Sequence, residues 1–590
     1  MFIGKKVTKP IKALLCLTAF LITLSYFFAP WGIIKKETKA HAIAPEDKIY
    51  FDDDSGVISC SKEFEENVQE SSSVFLVCSL DYPVFDNTYK YKNQQYSSVE
   101  EAQAALMRMR NEQKNYHIKK NNEMINKLKL HEICDNIEIS EYSPMLTMQF
   151  KDKAEYLRKY PKIKEKAAKA EVCEMSIISG EIKVEPNLLT SGIYTAHCLD
   201  MYYSREYTGT GITIGILEGG ILDKYNSQFS GRDVKIYNHW LEPETVLDHT
   251  TCVAAMAAGN DGVACGAKIR SAQIYVVVSF VTSMDYLIGQ GCNIVNMSYS
   301  FNGNTGQYKW QSAYIDYVTR FCSVTCVSAA GNNTQGNYKI GVPGTAYNSV
   351  TVGSVDMWGV WSDYSSYKVD FPARKPTVMA QGELIRPYPE GGTWSGTSFA
   401  APTVAGCIAL LMEEHSILIL HPEKVLSTLI AAAVVPTYEY GIGNYGWLQK
   451  YGPGIMHYER ARKKADVEIM GTNSTNRVGE RIFSQVFVVN KNTDMKACLT
   501  WLVNSRTTSR MSSVVQDNVT DYSLRLLDSK LNVLVEADGN TNIEYLTYRT
   551  PAKPSLQIYA VEVVQKGNKK NGYTDYLSVD LNIIEGFSIF

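Results

Sequence analysis

A serine, a histidine and a carboxylate stand in this sequence at the edges of apolar stretches, the serine and the carboxylate near glycines. Ser398 lies in GTSFAAPTVAG (Gly396 to Gly406), His249 in DHTTCVAAMAAG (Asp248 to Gly259) and Glu218 in GTGITIGILEGGIL (Gly209 to Leu222). A serine hydroxyl is a weak nucleophile at neutral pH and needs an adjacent base. Imidazole suits that role because its ordinary pKa, about 6.5, lies near working pH. The base needs a carboxylate on its second nitrogen to fix the tautomer and stabilise the imidazolium. Taken singly, each residue has a plainer reading. Ser398 is a good helix N-cap, His249 beside Asp248 is a surface-loop histidine, and Asn332 in Gly-Asn-Asn is a turn residue. Their combination at the ends of structural elements is what points to chemistry.

The elements that must hold these residues follow from the apolar pattern. Ile212 to Leu217, Ile269 to Val278, Ile294 to Ser298, Ser323 to Ala329 and Ser349 to Val355 are near-continuous apolar runs predicted as strands. Apolar helices follow His249 and Ser398. Strands of this kind separated by helices predict a parallel sheet covered on both faces, an α/β body over residues 186–465. A serine at the start of a helix has an unpaired backbone N–H and the positive end of the helix dipole beside it. Residues 43–185 are rich in Lys and Glu and carry no catalytic motif. They predict strands at Ser73 to Leu80, Leu146 to Phe150 and Glu171 to Ile178. They also predict a long helix over Val99 to Leu130, capped by Ser97 or Ser98 with Glu100 and Glu101 in its first turn, and a short helix from Ala154 to Tyr160 ended by Pro161. Residues 466–590 switch to short, turn-separated, partly alternating segments: Val486 to Val489, Cys498 to Val503, Tyr522 to Leu527, Asn532 to Glu536 and Leu556 to Val564. That pattern predicts an antiparallel β-sandwich.

The three segments, in the chain order acid, His, Ser, resemble the signatures of the subtilisin-like serine proteases, the subtilase family. VSAAGNN (Val327 to Asn333) resembles the family's oxyanion-hole motif, and the similarity covers about 275 residues. A G-x-S-x-G elbow at Ser398 is absent, and the order differs from that of α/β-hydrolases. The resemblance implies a Ser398–His249–Glu218 triad, with Asn332 and the Ser398 N–H as oxyanion donors. It implies that Ser298, Tyr299 and Ser300 (in NMSYS) form the edge along which a peptide substrate lies. Residues 43–185 weakly resemble the family's inhibitory, folding-assisting propeptides, which implies self-processing near residues 178–190. The sequence departs from the family at Glu218, where Asp is usual; Gly219 is expected to give the turn room for the extra methylene. Asp223, past the glycine turn, is a poorer candidate acid, and Ser395 lies outside the nucleophile frame. Thr250 and Cys252 replace the family's Gly and second His, with little expected to follow. Ser300 replaces a Gly, which implies a narrower specificity pocket.

The rest of the composition sets bounds. At 590 residues the chain is too long for one core. A net charge of −3 offers no basic surface for nucleic acid. Residues 1–42 combine Lys5, Lys6, Lys9 and Lys12, the 16-residue apolar run Ala13 to Phe28 and the site Ala40-His41-Ala42. This reads as a secretory signal peptide, and membrane attachment follows only if it is left uncleaved. The implied product is secreted or associated with the cell envelope. Of the 13 cysteines, Cys252, Cys292, Cys322, Cys326 and Cys407 sit in apolar segments, although Cys60 with Cys78, or Cys134 with Cys173, are possible bridges. No metal motif is present; Asp52, Asp53 and Asp54 read as a solvated run. The chemistry calls for no cofactor, and structural calcium on scattered loop oxygens is left open. Two rival readings stay open: an inactive pseudoprotease acting as a binding scaffold, and an envelope protein whose β-sandwich does the work.

Overall fold

The computed structural model describes residues 50–51, 58–59, 74–80, 82–168, 172–178 and 206–584, apart from short stretches at 240–243, 275–276, 302–304, 334–335, 389–391, 436–446, 464, 476, 506–518 and 568–572. The signal-peptide and processing-junction expectations lie outside the described residues, as does the acidic run at 52–54.

The N-terminal module is a four-stranded antiparallel sheet crossed by a long helix. Its strands are β1 (Val74–Leu80), β2 (Asn136–Ile139), β3 (Met145–Phe150) and β4 (Val172–Ile178), in the order β2-β3-β1-β4. Helix α1 (Val99–Leu128) starts where Ser98 Oγ accepts the Glu101 N–H (3.3 Å) and Glu101 reaches back to the Ser97 N–H (2.9 Å). It ends at Lys129 in the left-handed region (φ 52°). Helix α2 (Lys153–Ala168) does not stop at Pro161 as expected but runs through it. The carbonyl that Pro161 leaves unpaired belongs to Leu157, an exposed residue, where water can serve it.

The central body is a seven-stranded, wholly parallel sheet. Its strands are β5 (Thr213–Glu218), β6 (Val234–Tyr237), β7 (Lys268–Gln273), β8 (Ile294–Met297), β9 (Thr325–Ala329), β10 (Val350–Val355) and β11 (Val378–Gln381), in the order β11-β10-β9-β8-β5-β7-β6. Helices α3 (Asp248–Ala258), α4 (Val277–Gly289), α5 (Trp310–Cys322), α6 (Thr397–Glu414) and α7 (Pro422–Ala432) cover it. The apolar run expected as one strand over 269–278 divides into β7 and the start of α4, because buried strand and buried helix are equally apolar. Two apolar clusters mark the two faces. Ile214, Ile216, Val327 and Val352 join α3 and α6, while Leu217, Val295 and Met297 join α4 and α5. Successive strand residues pointing to opposite faces produce this division.

The C-terminal region carries two four-stranded antiparallel sheets. One is β12 (Val467–Asn473), β19 (Asp575–Ile584), β14 (Asp494–Trp501) and β17 (Ile543–Arg549). The other is β13 (Arg481–Asn490), β18 (Leu556–Gln565), β15 (Tyr522–Asp528) and β16 (Val533–Asp538). Their facing side chains, with Trp501 and Tyr522 edge to face at 5.1 Å, continue the cluster under α4 and α5. Val503 and Asn348 bond reciprocally across the junction (2.8 and 3.0 Å).

Neither possible bridge forms: Cys78 and Cys134 are buried free thiols. Burial raises both above the ordinary thiol range, which suits the small-hydrophobe role of Cys in a core. Among the described residues no group of three or more His, Cys, Asp or Glu could hold a metal ion, and no helix is long and apolar enough to cross a membrane.

Candidate active site

Three elements bring Glu218, His249 and Ser398 to the carboxyl ends of the central strands. Glu218 is the last residue of β5. The turn after it is fixed to the approach to α3 by two backbone bonds, Ile221 N–H to Thr245 O (2.8 Å) and Leu247 N–H to Ile221 O (3.0 Å). Gly220 also matters in this turn. A Cβ on Gly220 would lie 2.5 Å from Thr245 O and 2.6 Å from Leu247 Cγ, so any other residue would force the two turns apart. Thr250 also has a role the sequence reading missed: its Oγ1 donates to Gly220 O (3.1 Å), tying the histidine helix to the acid turn. Further along, Gly406 of α6 lets that helix approach α3. A Cβ there would lie 2.6 Å from Val263 Cβ and 2.8 Å from Ala257 O. At the start of the same helix the Phe399 ring packs edge-on to the His249 ring at 5.5 Å.

Around Ser398 nearly every polar group is matched. Pro402 lies four residues beyond Ser398 inside α6 and has no N–H to give, so the Ser398 carbonyl is released from the helix. Ser298 Oγ donates to that carbonyl (2.8 Å), and Asn296 Nδ2 donates to Ser298 Oγ (2.9 Å). In return Ser398 Oγ donates to Ser298 O (3.1 Å). Asn332 follows β9, and its Oδ1 accepts both the Thr397 N–H (2.8 Å) and the Thr397 hydroxyl (2.9 Å). That satisfies one orphan donor of the helix start and turns the amide so that Nδ2 remains the outward donor. Thr397 Oγ1 also accepts from Gly331 N–H (3.1 Å), which locks the turn bearing Asn332. Thr397 was not singled out from sequence; its place directly before Ser398 was the available signal.

The acid side is less complete. Glu218 is fully buried, and its Oε1 accepts the Ser298 N–H at 2.6 Å. Its Oε2 lies 3.6 Å from His249 Nδ1, beyond hydrogen-bond range, and neither atom has another partner. Burial pushes the Glu218 carboxyl up to about 8 against the opposing pull of the Ser298 N–H. Burial also pushes the His249 imidazole down to about 4. Both directions favour neutral groups, as expected for two charges withdrawn from water without a formed contact.

Of the three residues expected to line a substrate edge, Ser298 has its N–H and C=O turned inward to Glu218 and Ser398. Tyr299 is 6% exposed and packs edge-on against Phe301 at 5.1 Å, inside the core. Ser300 is half-buried. Asp223, the poorer candidate acid, engages the histidine helix only through its backbone N–H, bonded to Thr251 Oγ1 (2.9 Å). Ser395 Oγ is occupied by the Leu384 N–H (2.9 Å).

A parallel α/β body with a carboxylate at a strand end, a histidine opening one helix and a serine opening another defines the class. The chain belongs to the subtilase family, whose model matches residues 156–454. Among curated proteins it is similar to Subtilisin NAT of Bacillus subtilis subsp. natto, 25% identical over 232 residues, covering 36% of this chain and 58% of that one. It is also similar to Subtilisin-like protease 2 of Trichophyton rubrum, 30% identical over 234 residues, covering 36% of this chain and 52% of that one. The chain thus spans little more than half the length of these relatives. Among solved structures, the prenylagaramide maturation protease PagA aligns over 45% of this chain and 97% of its own, at 21% identity and a TM-score of 0.37.

Proposed function

We propose that this chain is a secreted serine endopeptidase that works through Ser398, His249 and Glu218. The observation that carries the reading is Ser298, which bridges the buried carboxylate and the nucleophile: its N–H holds Glu218 and its C=O holds the Ser398 hydroxyl. One residue therefore registers the acid against the serine through its two flanking peptide groups, which a chance collection of a helix cap and a loop histidine has no reason to do.

In the proposed cycle the Ser398 hydroxyl leaves Ser298 O by a χ1 rotation between staggered positions and turns to His249 Nε2. Ser398 Oγ bonds to the scissile carbonyl carbon and its proton passes to Nε2. The carbonyl oxygen, now negative, is met by Asn332 Nδ2 and the Ser398 N–H. Glu218, ionised as pH rises toward its raised value of about 8, closes the gap to Nδ1 by roughly 0.6 Å and stabilises the imidazolium. The C–N bond breaks as Nε2 protonates the leaving amine, and water then repeats the sequence on the acyl-enzyme. The substrate is an extended peptide beside residues 298–300, with backbone pairing falling to Ser300 because Ser298 is engaged inward. The chain is read as a precursor that cuts itself near residues 178–190, its N-terminal part acting on its own catalytic body as an inhibitor. No cofactor enters the cycle, and structural calcium on loop oxygens stays open.

The pseudoprotease alternative has one specific observation in its favour: the unpaired 3.6 Å contact between Glu218 and His249. A fluorophosphonate probe separates the two. Labelling of the wild type that is lost in Ser398→Ala and reduced in Glu218→Ala supports the peptidase. A folded wild type that takes no label supports the scaffold.

A further inference from the structure

The N-terminal module does not sit on the catalytic body as a detachable piece would. The inner face of α1 (Ala102, Ala105, Leu106 and Met109, all 0% exposed) belongs to the apolar cluster that holds α3, α6 and the strand residues Ile214 and Ile216. Val77, Tyr142 and Met145 of the same module belong to the cluster on the other face of the sheet. The module therefore completes both halves of the central core. At Gly211, just before β5, an added Cβ would fall 2.7 Å from Val99 Cγ1.

Two buried charges fix the seat. Arg110 is 0% exposed, and its guanidinium donates to Cys322 O (2.9 Å), Ile288 O (3.2 Å) and Ser323 O (3.3 Å). These carbonyls close the C-terminal ends of α4 and α5, where helix dipoles present negative charge, so the cation is compensated by two helix ends of the catalytic body. Lys92 is also buried. Its Nζ pairs with Glu423 of α7 (2.8 Å), its carbonyl faces His421 Nε2 (3.0 Å), and its ammonium stands over the Tyr576 ring of β19 (4.9 Å). The Glu423 carboxylate in turn pairs with His421 Nδ1 (2.7 Å), and the Glu423 backbone carbonyl accepts the Thr500 hydroxyl of β14 (2.6 Å). This junction joins all three modules. Withdrawing the N-terminal module would leave Glu423 buried beside His421 without its ammonium and strip Arg110 of every carbonyl it holds.

We propose that residues 74–168 are a permanent structural module of the folded protein and stay seated after any cut in the chain between residues 179 and 205. The mature form is then a nicked, two-fragment protein, and any release of inhibition comes from residues nearer the cut, not from loss of the whole module.

The test uses the full chain carrying Ser398→Ala, so that its outcome is independent of whether the site cuts peptides. A site-specific protease sequence is inserted between residues 181 and 185 and cut, and the product is diluted to on the order of 10 nM. The expected result is one species in native mass spectrometry with the two fragments at 1:1 and one unfolding transition. Separation of the N-terminal fragment from a C-terminal fragment that still unfolds cooperatively would overturn the proposal. In the uncut chain, amide exchange of residues 102–110 is expected to be as slow as that of β5 and β8; a separate, faster opening of α1 contradicts it. Arg110→Met should speed fragment dissociation at least tenfold relative to the exposed-site control Arg108→Met. Equal rates for the two variants would count against the seat described.

Discussion

On the nucleophile side of the site, Asn332, Thr397, Ser398 and Ser298 exchange hydrogen bonds of 2.8–3.1 Å and hold one another in place. On the acid side, Glu218 Oε2 and His249 Nδ1 face each other at 3.6 Å with no partner. The first region matches the family pattern in residue type; the second contains its departure. The difference teaches that the Glu218 carboxylate is anchored by the Ser298 N–H, which takes Oε1, and not by the contact with the histidine. The organised half would bind developing charge, while the other half would set when the base is ready.

The largest effect that tests this contrast is removal of the acid. In a subtilisin, deleting the orienting carboxylate alone costs on the order of 10⁴-fold in turnover. Glu218→Ala should fall by about that factor in kcat if the carboxylate closes on His249 during reaction. A fall of less than tenfold would mean that the 3.6 Å contact persists through the cycle. Asn332→Ala should cost about 10²- to 10³-fold in kcat with KM little changed, because its Nδ2 is fixed in advance by the two bonds to Thr397. A change confined to KM would instead make Asn332 a ground-state contact.

The acid side also gives a pH signature. The Glu218 carboxyl holds its proton up to about pH 8 in the folded chain against an ordinary value of 4.5. The folded state therefore binds this proton more tightly than the unfolded one. The associated stability is fully present below pH 4.5 and is lost as pH rises toward 8. His249, depressed to about 4, acts in the opposite sense, losing stability as pH falls from 6.5. It is common to the wild type and Glu218→Gln, so it largely cancels in their difference. Unfolding free energies of the two should diverge between pH 5 and 8, the wild type losing up to about 1.4 kcal/mol per pH unit relative to the variant. Parallel curves would mean that Glu218 is ionised throughout.

Much of this was legible in the sequence, and what was not has identifiable causes. Ser398, Asn332 and Glu218 stand out because each sits near glycine at the edge of an apolar run, and His249 because it opens an apolar helix. The parallel body was legible because doubly covered strands are continuously apolar. The edge strands β6 and β11, four residues each, were not predicted. The double engagement of Ser298 was invisible, since it joins residues 80 and 100 positions away. The N-terminal module read as separate because its helix α1 is rich in Lys, Glu and Asn on one side. Only the fold reveals that Ala102, Ala105, Leu106 and Met109 complete another module's core. The cysteines were open to two readings, and burial of Cys78 and Cys134 as free thiols decides for the apolar one.

The smallest expected effect comes from Thr250, which the family pattern gave no reason to weigh. Its hydroxyl is fully buried and bridges the two turns that carry Glu218 and His249. Thr250→Val keeps the shape of the side chain and leaves the Gly220 carbonyl without this donor, at a cost of about 1 kcal/mol in stability. If the hydroxyl only supports the fold, kcat/KM stays at the wild-type value once the protein is folded. If it registers the acid against the base, kcat falls severalfold at unchanged KM and the acidic limb of the pH–rate profile moves. Thr250→Ser, which restores the donor, should return both to the wild-type value. Because the Glu218–His249 contact is already open by roughly 0.6 Å, a small slip of the turn acts directly on the distance that must close. The prediction is therefore a kcat effect larger than the stability loss alone would suggest.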